Sequence, residues 1–599
     1  MCGIIGIASR TEFPSRVLLE RLKRLEYRGY DSYGFYDSRN LKKRVGGIDV
    51  EAAGRATTRM GIAHTRWATH GGATERNAHP HVSCDGRVVI VHNGIIENHE
   101  EMRKSLEKKG HRFASETDSE VIAHFFEEGL KRKPAEAVIA DFFAAAAGTF
   151  AVLAAIKGRE EIFALKRDSP LVLGAADGMN ILASDIYAFS DATSQAAFFE
   201  NDEFAVVGAE SFRFFDRKGR PIEKAMREFV WDQKESVKRS HKHYMLKEIL
   251  EEPAAVERML FSMENDQKAE FDGLIRLIRG SKKIIFAACG TSYHASLLGA
   301  YYLHRTGVES QTLIASEFRH YANVDRDTLI IALSQSGETM DVIDALKYAR
   351  ERGGRIAAVV NVPYSTIQRM SELSLHILAG QEVCVASTKA FINQAVLMLR
   401  IAREFGFPVD TDNVAGKIRL LFRKRGRIRE IAERIAVSKD AYVIGRGLTY
   451  PVAREIALKI KETSYIHAEG MMGGELKHGT IALIEDGTPV ISLVSNNDPD
   501  IISNAREVEA RGAKVFTITN DGRMERKRDV IYIETGNDGK FGILAAVAGQ
   551  LIAYYAADKL GRPIDKPRNL AKSVTVKLSG TQYQFPNYEN PPWKNTPII

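Results

Sequence analysis

Met1-Cys2-Gly3-Ile4-Ile5-Gly6-Ile7 puts a thiol at residue 2, directly before a short apolar run. Met1 is readily trimmed when the second residue is small. Cys2 is then expected as the mature N-terminus, with a thiol and an α-amine on one residue. A free α-amine titrates at roughly 7.7–8.0, so part of it is a neutral base near neutral pH. A thiol beside such a base is an activated nucleophile and needs no histidine partner. The same residues also read as a buried strand that happens to start at a cysteine. Position and flanks alone do not separate the two readings.

At 599 residues the chain is too long for one core, and roughly three or four domains are expected. Hydrophobic residues make up 44% and charged residues 27%, the balance of a soluble globular protein. Lys and Arg number 84 against 77 Asp and Glu. They are interleaved, which argues for solvated faces and against a nucleic-acid surface. The basic stretch Arg419-Leu420-Leu421-Phe422-Arg423-Lys424-Arg425-Gly426-Arg427 reads as helix with its apolar residues turned inward. The cysteines are Cys2, Cys84, Cys289 and Cys384, and none forms a CxxC pair. Spacing therefore gives no zinc or iron–sulfur signature, and no metal is expected. A cytosolic setting with reduced thiols is expected. The apolar run Phe142 to Ile156 falls short of the roughly 18 residues of a membrane span. It reads as a helix end, a turn at Gly148 and a buried strand Thr149–Ile156, so no membrane partner is expected.

Residues 1–223 are rich in short apolar runs, such as Gly61-Ile62-Ala63-His64 and Val88-Val89-Ile90-Val91-His92. Residues 224–260 are charged and read as a linker entering a helix, with a break at Pro253. From 261 the texture changes. Ile284–Ala288, Leu329–Leu333 and Arg355–Val360 alternate with amphipathic segments, as parallel α/β sheets do. The pattern restarts at Ala441–Gly447 and continues through Pro489–Val494 and Lys514–Ile518. Two copies of one α/β domain are expected, at 261–415 and 416–577, in preference to a single larger sheet. Residues 578–599 form an extension rich in Pro, Asn and aromatics.

Polar clusters punctuate the first region: Tyr27–Ser32, His64–Gly71, Asn77–His81, His92–Asn98 and Ser115–Glu120. Each alone is compatible with turn or cap chemistry; Asn93-Gly94 is a common turn dipeptide. Together with Cys2 the set resembles the glutaminase domain of class II amidotransferases, which are N-terminal-nucleophile enzymes. The resemblance implies an α+β fold, an αββα sandwich, over 1–223. It makes Cys2 the nucleophile toward glutamine, and Asn93 and Gly94 the oxyanion hole, whose fixed donors are usually a large catalytic term. It gives Arg66 the glutamine α-carboxylate, a good use of a planar bidentate donor. Asp118 takes the α-ammonium, Thr69 and His70 help build the pocket, and Trp67 gates ammonia.

In the second half Cys289-Gly290-Thr291-Ser292 follows one expected strand and Ser334-Gln335-Ser336-Gly337-Glu338-Thr339 the next. Hydroxyls and amides at strand-to-helix turns suit a phosphate, although simple N-capping uses the same residues. Two such clusters, with Val385-Ala386-Ser387-Thr388-Lys389 beyond, resemble SIS domains. That likeness assigns the sugar phosphate to Ser292, Ser334, Gln335, Ser336 and Thr339, and the sugar to Val385 and Ser387. Glu455, Lys459 and Glu462 stand at i, i+4 and i+7, on one helix face. On pattern alone they read as a solvated Glu–Lys face.

These residues, with His478 and Lys572, also resemble those of amidotransferases that aminate a ketose phosphate. The implied partners are L-glutamine and D-fructose 6-phosphate, with no cofactor. Lys572 would form a Schiff base, Glu462 would move a proton between C1 and C2, and His478 would open the sugar ring from a neighbouring subunit of a homodimer. Glu455 and Lys459 would support the charge changes. A ribosyl-pyrophosphate acceptor would need an acidic strand-end motif that is not found. A relative acting on another ketose phosphate, and a sugar-phosphate-sensing SIS protein, remain as alternatives. Two departures stand out: the extension beyond 577, and Tyr33 where the family has a small residue.

Overall fold

The computed structural model describes residues 2–229, 238 and 240–574. The extension at 578–599 lies outside the described residues. The chain forms two compact units that meet in sequence at Trp231 and Asp232.

Among the described residues the first unit has an eight-stranded and a seven-stranded sheet, both antiparallel throughout. The apolar run after Cys2 becomes the strand Gly3–Pro14, paired with Thr57–Arg66 on one side and Met179–Ala183 on the other. The second sheet is centred on Val88–Ile96 and Gly148–Ile156. Ile4, Ile62, Val91, Leu153 and Leu182 fill the space between the sheets. Phe126, Phe142 and Phe150 fill the layer between the second sheet and the helices Glu120–Leu130 and Ala135–Ala145. This is the expected αββα sandwich. Gly148 is not the expected turn but the first residue of the strand Gly148–Ile156, at φ +107°, where a Cβ would lie 2.2 Å from the Ile95 carbonyl. Asn93-Gly94 is not a turn; it lies inside the strand Val88–Ile96. Tyr33 is buried in the strand Ser32–Tyr36, and its hydroxyl donates to the Asp49 carbonyl at 3.4 Å.

The second unit holds two five-stranded parallel sheets of identical order, 2-1-3-4-5. In the first sheet Lys283–Ala288 lies between Gln311–Ile314 and Thr328–Ser334, with Arg355–Val360 and Leu373–His376 beyond. The second repeats this with Asp440–Gly445 between His467–Met472 and Pro489–Val494. Two copies of one domain are thus present, not one large sheet. Their helices share a core in which Lys389–Arg403 and Asp538–Lys559 are almost wholly buried. Asp538–Lys559 is long and apolar enough to cross a membrane, but its most apolar window is 89% buried inside the fold. A helix apolar all round is what a large core needs.

The break expected at Pro253 does not occur. Helix Tyr244–Glu264 runs through it, burying Met245, Ile249, Val256 and Met259. An interior proline costs about 3 kcal/mol, and burying apolar side chains at about 1.5–3 kcal/mol each offsets that. The basic stretch forms the end of Val414–Phe422 and the start of Arg425–Ile435, with Ile418, Leu421 and Ile428 turned inward.

Candidate active sites

In the first unit the strand Gly3–Pro14 delivers Cys2 to the end of Thr57–Arg66. The Trp67 N–H points at Cys2 Sγ at 3.4 Å. Asn93 Nδ2 donates to the Cys2 carbonyl at 3.1 Å, which places its amide beside the thiol. Gly94 adopts φ +131°, and a Cβ there would sit 2.0 Å from the Thr149 carbonyl, so only glycine fits. Arg66 is buried and donates to the carbonyls of His70 (2.5 Å), Gly71 and Gly72 (both 3.1 Å), shaping the loop that carries Thr69 and His70. Asp118 Oδ2 accepts the Ile96 N–H at 2.8 Å, and its Oδ1 lies 3.9 Å from His70 Nδ1. Trp67 is half-buried, edge-on to Tyr30 at 5.9 Å. Thr69 alone of the set is exposed. Burial pushes the Cys2 thiol up, against the opposing pull of the Trp67 N–H and the Arg66 charge. The resting group is a thiol that needs a base.

Four histidines lie buried behind this site. His64 and His79 stack at 4.0 Å, and His79 meets His81 edge-on at 4.4 Å. The His92 N–H donates to His79 Nδ1 at 3.3 Å, which keeps that nitrogen unprotonated. Burial drives His64 down to about 3 and holds His79, His81 and His92 below the ordinary value. An unfolded histidine titrates near 6.5. Between those values the unfolded chain binds the extra proton, so stability is present above pH 6.5 and is lost as pH falls. From pH 6.5 to 4.5, His64 alone is expected to cost about 2 kcal/mol. Hydrogen exchange in peptides 57–66 and 88–96, corrected for intrinsic rates, measures it. Equal protection at both pH values would rule the effect out.

In the second unit the 2-1-3 strand order makes a crevice at the carboxyl ends of Lys283–Ala288 and Thr328–Ser334, where open α/β sheets bind ligands. Both serine-rich loops lie at that crevice. Cys289 immediately precedes the helix Gly290–His304, and Thr339 immediately precedes Met340–Glu351, neither side chain bonding to its helix's first turn. Ser334 Oγ contacts Thr339 Oγ1 at 3.1 Å and accepts the Gly337 N–H at 3.0 Å. The end of the described chain crosses the same loop. Ser573 Oγ meets Ser336 Oγ at 2.7 Å, and the Met340 N–H donates to the Val574 carbonyl at 2.9 Å. Ser292 Oγ accepts from Gln394 at 3.0 Å.

Lys572 meets Glu382, a residue the sequence reading missed, at 2.5 Å; the side chains are 2% and 0% exposed. Glu382 also accepts from Ser387 Oγ (2.9 Å) and from the N–H groups of Thr388 (2.8 Å) and Ala390 (3.1 Å). Burial alone would raise its carboxyl. The Lys572 charge and these hydrogen bonds outweigh burial and hold it at about 2. Glu248 accepts from the backbone of Val383 and Cys384, and burial and the Glu382 charge push it up to about 8. Val385 is buried, its N–H on the Asp565 carbonyl at 3.1 Å. Glu455, Lys459 and Glu462 are not a solvated face. Lys459 is buried, 2.6 Å from Glu462 and 3.5 Å from Glu455, and donates to Thr291 at 3.0 Å beside Ser292. Burial would lower the Lys459 ammonium, but the two carboxylates raise it. His478 stands apart, exposed on the segment Gly473–His478.

A cysteine-led glutaminase sandwich joined to two sugar-phosphate α/β domains defines the class: a glutamine amidotransferase fused to a pair of SIS domains. Residues 1–214 match the glutamine amidotransferase domain, and residues 277–402 and 434–558 each match the SIS domain. The chain is 38% identical to the glutamine–fructose-6-phosphate aminotransferase (isomerizing) of Clostridium acetobutylicum and 39% to that of Pyrococcus horikoshii. Each alignment covers 96% of this chain and all of the relative. The C-terminal domain of glucosamine-fructose-6-phosphate aminotransferase from Francisella tularensis superposes with a TM-score of 0.52 at 33% identity, over 55% of this chain and 100% of that one. The chain belongs to the glutamine–fructose-6-phosphate aminotransferase (isomerizing) family.

Proposed function

We propose that the chain converts L-glutamine and D-fructose 6-phosphate to L-glutamate and D-glucosamine 6-phosphate. Cys2 attacks the glutamine side-chain amide, releases ammonia and leaves a thioester that water hydrolyses. Its α-amine carries the proton in both steps. Asn93 and Gly94 stabilise the tetrahedral oxyanion. Arg66 and Asp118 hold the glutamine α-carboxylate and α-ammonium, and Thr69 and His70 complete the pocket. In water ammonia would mostly protonate and lose nucleophilicity, so it must travel under cover, with Trp67 as the gate.

At the sugar site Ser292, Ser334, Gln335, Ser336 and Thr339 take the phosphate, and Val385 and Ser387 line the sugar. Lys572 must give up its proton and its Glu382 partner before it can condense with the C2 ketone, losing water. Ammonia then displaces the lysine from the imine. Glu462 takes a proton from C1 and delivers one to C2, giving the amino-aldose, while Lys459 and Glu455 balance its charge. His478 opens the ring from the partner subunit of a homodimer. Its exposed position on its own chain supports that assignment. The reading also includes a cytosolic enzyme with no nucleic-acid or membrane partner.

The observation that carries the proposal is the buried Lys572–Glu382 pair, which joins Ser387 to the segment crossing the Ser336 loop. Mass balance with glutamine labelled at the amide nitrogen tests it. Glutamate and labelled glucosamine 6-phosphate should form in equal amounts. Turnover only with a different ketose phosphate would defeat the substrate assignment.

A further inference from the structure

We propose that the N-terminal unit carries a structural zinc site formed by Cys84, His111, His124 and Glu127. The four side chains come from three segments. Cys84 lies in the turn between His81–Val82 and Val88–Ile96, His111 follows the helix His99–Glu107, and His124 and Glu127 stand at i, i+3 on Glu120–Leu130. One ligand atom from each lies within 4.8 Å of all the others.

The separations are those of a tetrahedral ion. Zinc bonds of about 2.0–2.1 Å to nitrogen or oxygen and about 2.3 Å to sulfur place ligand atoms about 3.3 Å (N to O) and about 3.6 Å (S to N) apart. Glu127 Oε2 lies 3.2 Å from His111 Nδ1 and 3.3 Å from His124 Nδ1. Cys84 Sγ lies 3.6 Å from His124 Nδ1. The far nitrogen of each ring meets a carboxylate: His111 Nε2 is 3.3 Å from Glu128, and His124 Nε2 is 3.4 Å from Glu120. Carboxylates in that position fix the tautomer that turns Nδ1 toward a metal. The Arg112 N–H points at Cys84 Sγ at 3.3 Å, as it would toward a thiolate.

Without a metal the same geometry is poorly satisfied. Glu127 Oε2 already accepts the Cys84 N–H at 2.8 Å. In the tautomer selected by Glu128 and Glu120, the two Nδ1 atoms that face it carry lone pairs, so acceptors converge with no proton between them. With zinc bound, one lone pair takes the ion and the other the amide. Thiolate and carboxylate then neutralise the dication, and the Cys84 proton is released to solvent. Four protein ligands close the coordination sphere, so the ion is structural. The three ligands from His111 onward are buried and Cys84 is exposed, which leaves a route for entry.

The full chain purified in zinc-containing, chelator-free buffer should retain about one zinc ion per chain. Cys84→Ser and His124→Gln should lose it, and Glu128→Gln should weaken it about 10-fold or more. Cobalt(II) titration gives a second readout: a thiolate charge-transfer band in the near ultraviolet, absent in Cys84→Ser. A chelator should lower the wild-type melting temperature and leave that of Cys84→Ser unchanged. No zinc retained by the wild type, or zinc retained equally by the ligand variants, would overturn the proposal.

Discussion

Lys572→Met is expected to lower glucosamine 6-phosphate formation at least about 10³-fold, whether glutamine or ammonium supplies nitrogen, because the proposed covalent nucleophile is gone. Glutamine hydrolysis should survive. The same substitution strips Glu382 of its charge partner in a site where both side chains are sealed from water. Removing one member of such a pair costs about 3–5 kcal/mol. Glu382 keeps Ser387 and two backbone N–H donors, so the lower end is expected. Lys572→Arg preserves the charge and should stay close to wild-type stability with synthase activity still lost. The double variant Lys572→Met/Glu382→Gln removes both charges and should regain stability without activity. Synthase assays and chemical unfolding of the four proteins check this. A stable, active Lys572→Arg would sink the Schiff-base role; a fully stable Lys572→Met would sink the charge-pair argument.

Glu382 itself shows where sequence reading stops. It stands three residues before Val385, a position the reading singled out, yet Gln381-Glu382-Val383 looks like any polar loop. Only the fold brings Lys572, 190 residues away, onto its carboxylate. The strands at the sugar site were legible because buried parallel strands need unbroken β-branched runs. The Ser334–Thr339 loop was legible because hydroxyls crowd where a strand hands over to a helix. Pattern alone would have left Lys459 as half of a surface pair, since i, i+4 spacing fixes a face and not what covers it. Pro253 was misread for a related reason: a local rule lost to packing on both sides of it. The Cys84–Glu127 cluster escaped a spacing search because three separate segments supply its ligands, and just His124 and Glu127 share an element. Cys2, Arg66, Asn93 and Asp118 carried chemistry in sequence through family resemblance; periodicity alone would have left them as turns and caps.

Cys2→Ala should abolish glutamine-dependent synthesis, by at least about 10³-fold, and leave ammonium-dependent synthesis measurable, because in the proposed mechanism the sugar site has its own nucleophile in Lys572. That result alone would not show how the thiol is activated. Burial raises Cys2, so at neutral pH it is protonated and a base must take the proton as the bond to glutamine forms. Sγ lies against the Trp67 N–H and carbonyl, neither of them a base at neutral pH. The proposed base, which the family resemblance implies, is the α-amine of Cys2 itself. A chain that keeps one extra residue before Cys2 retains the thiol and loses that amine. It should forfeit about 10²–10⁴-fold in glutamine hydrolysis, with alkylation of Cys2 slowed at neutral pH and ammonium-dependent synthesis unchanged. Proteolytic removal of the extra residue should restore hydrolysis. If the extended chain hydrolyses glutamine at the wild-type rate, the amine is not the base.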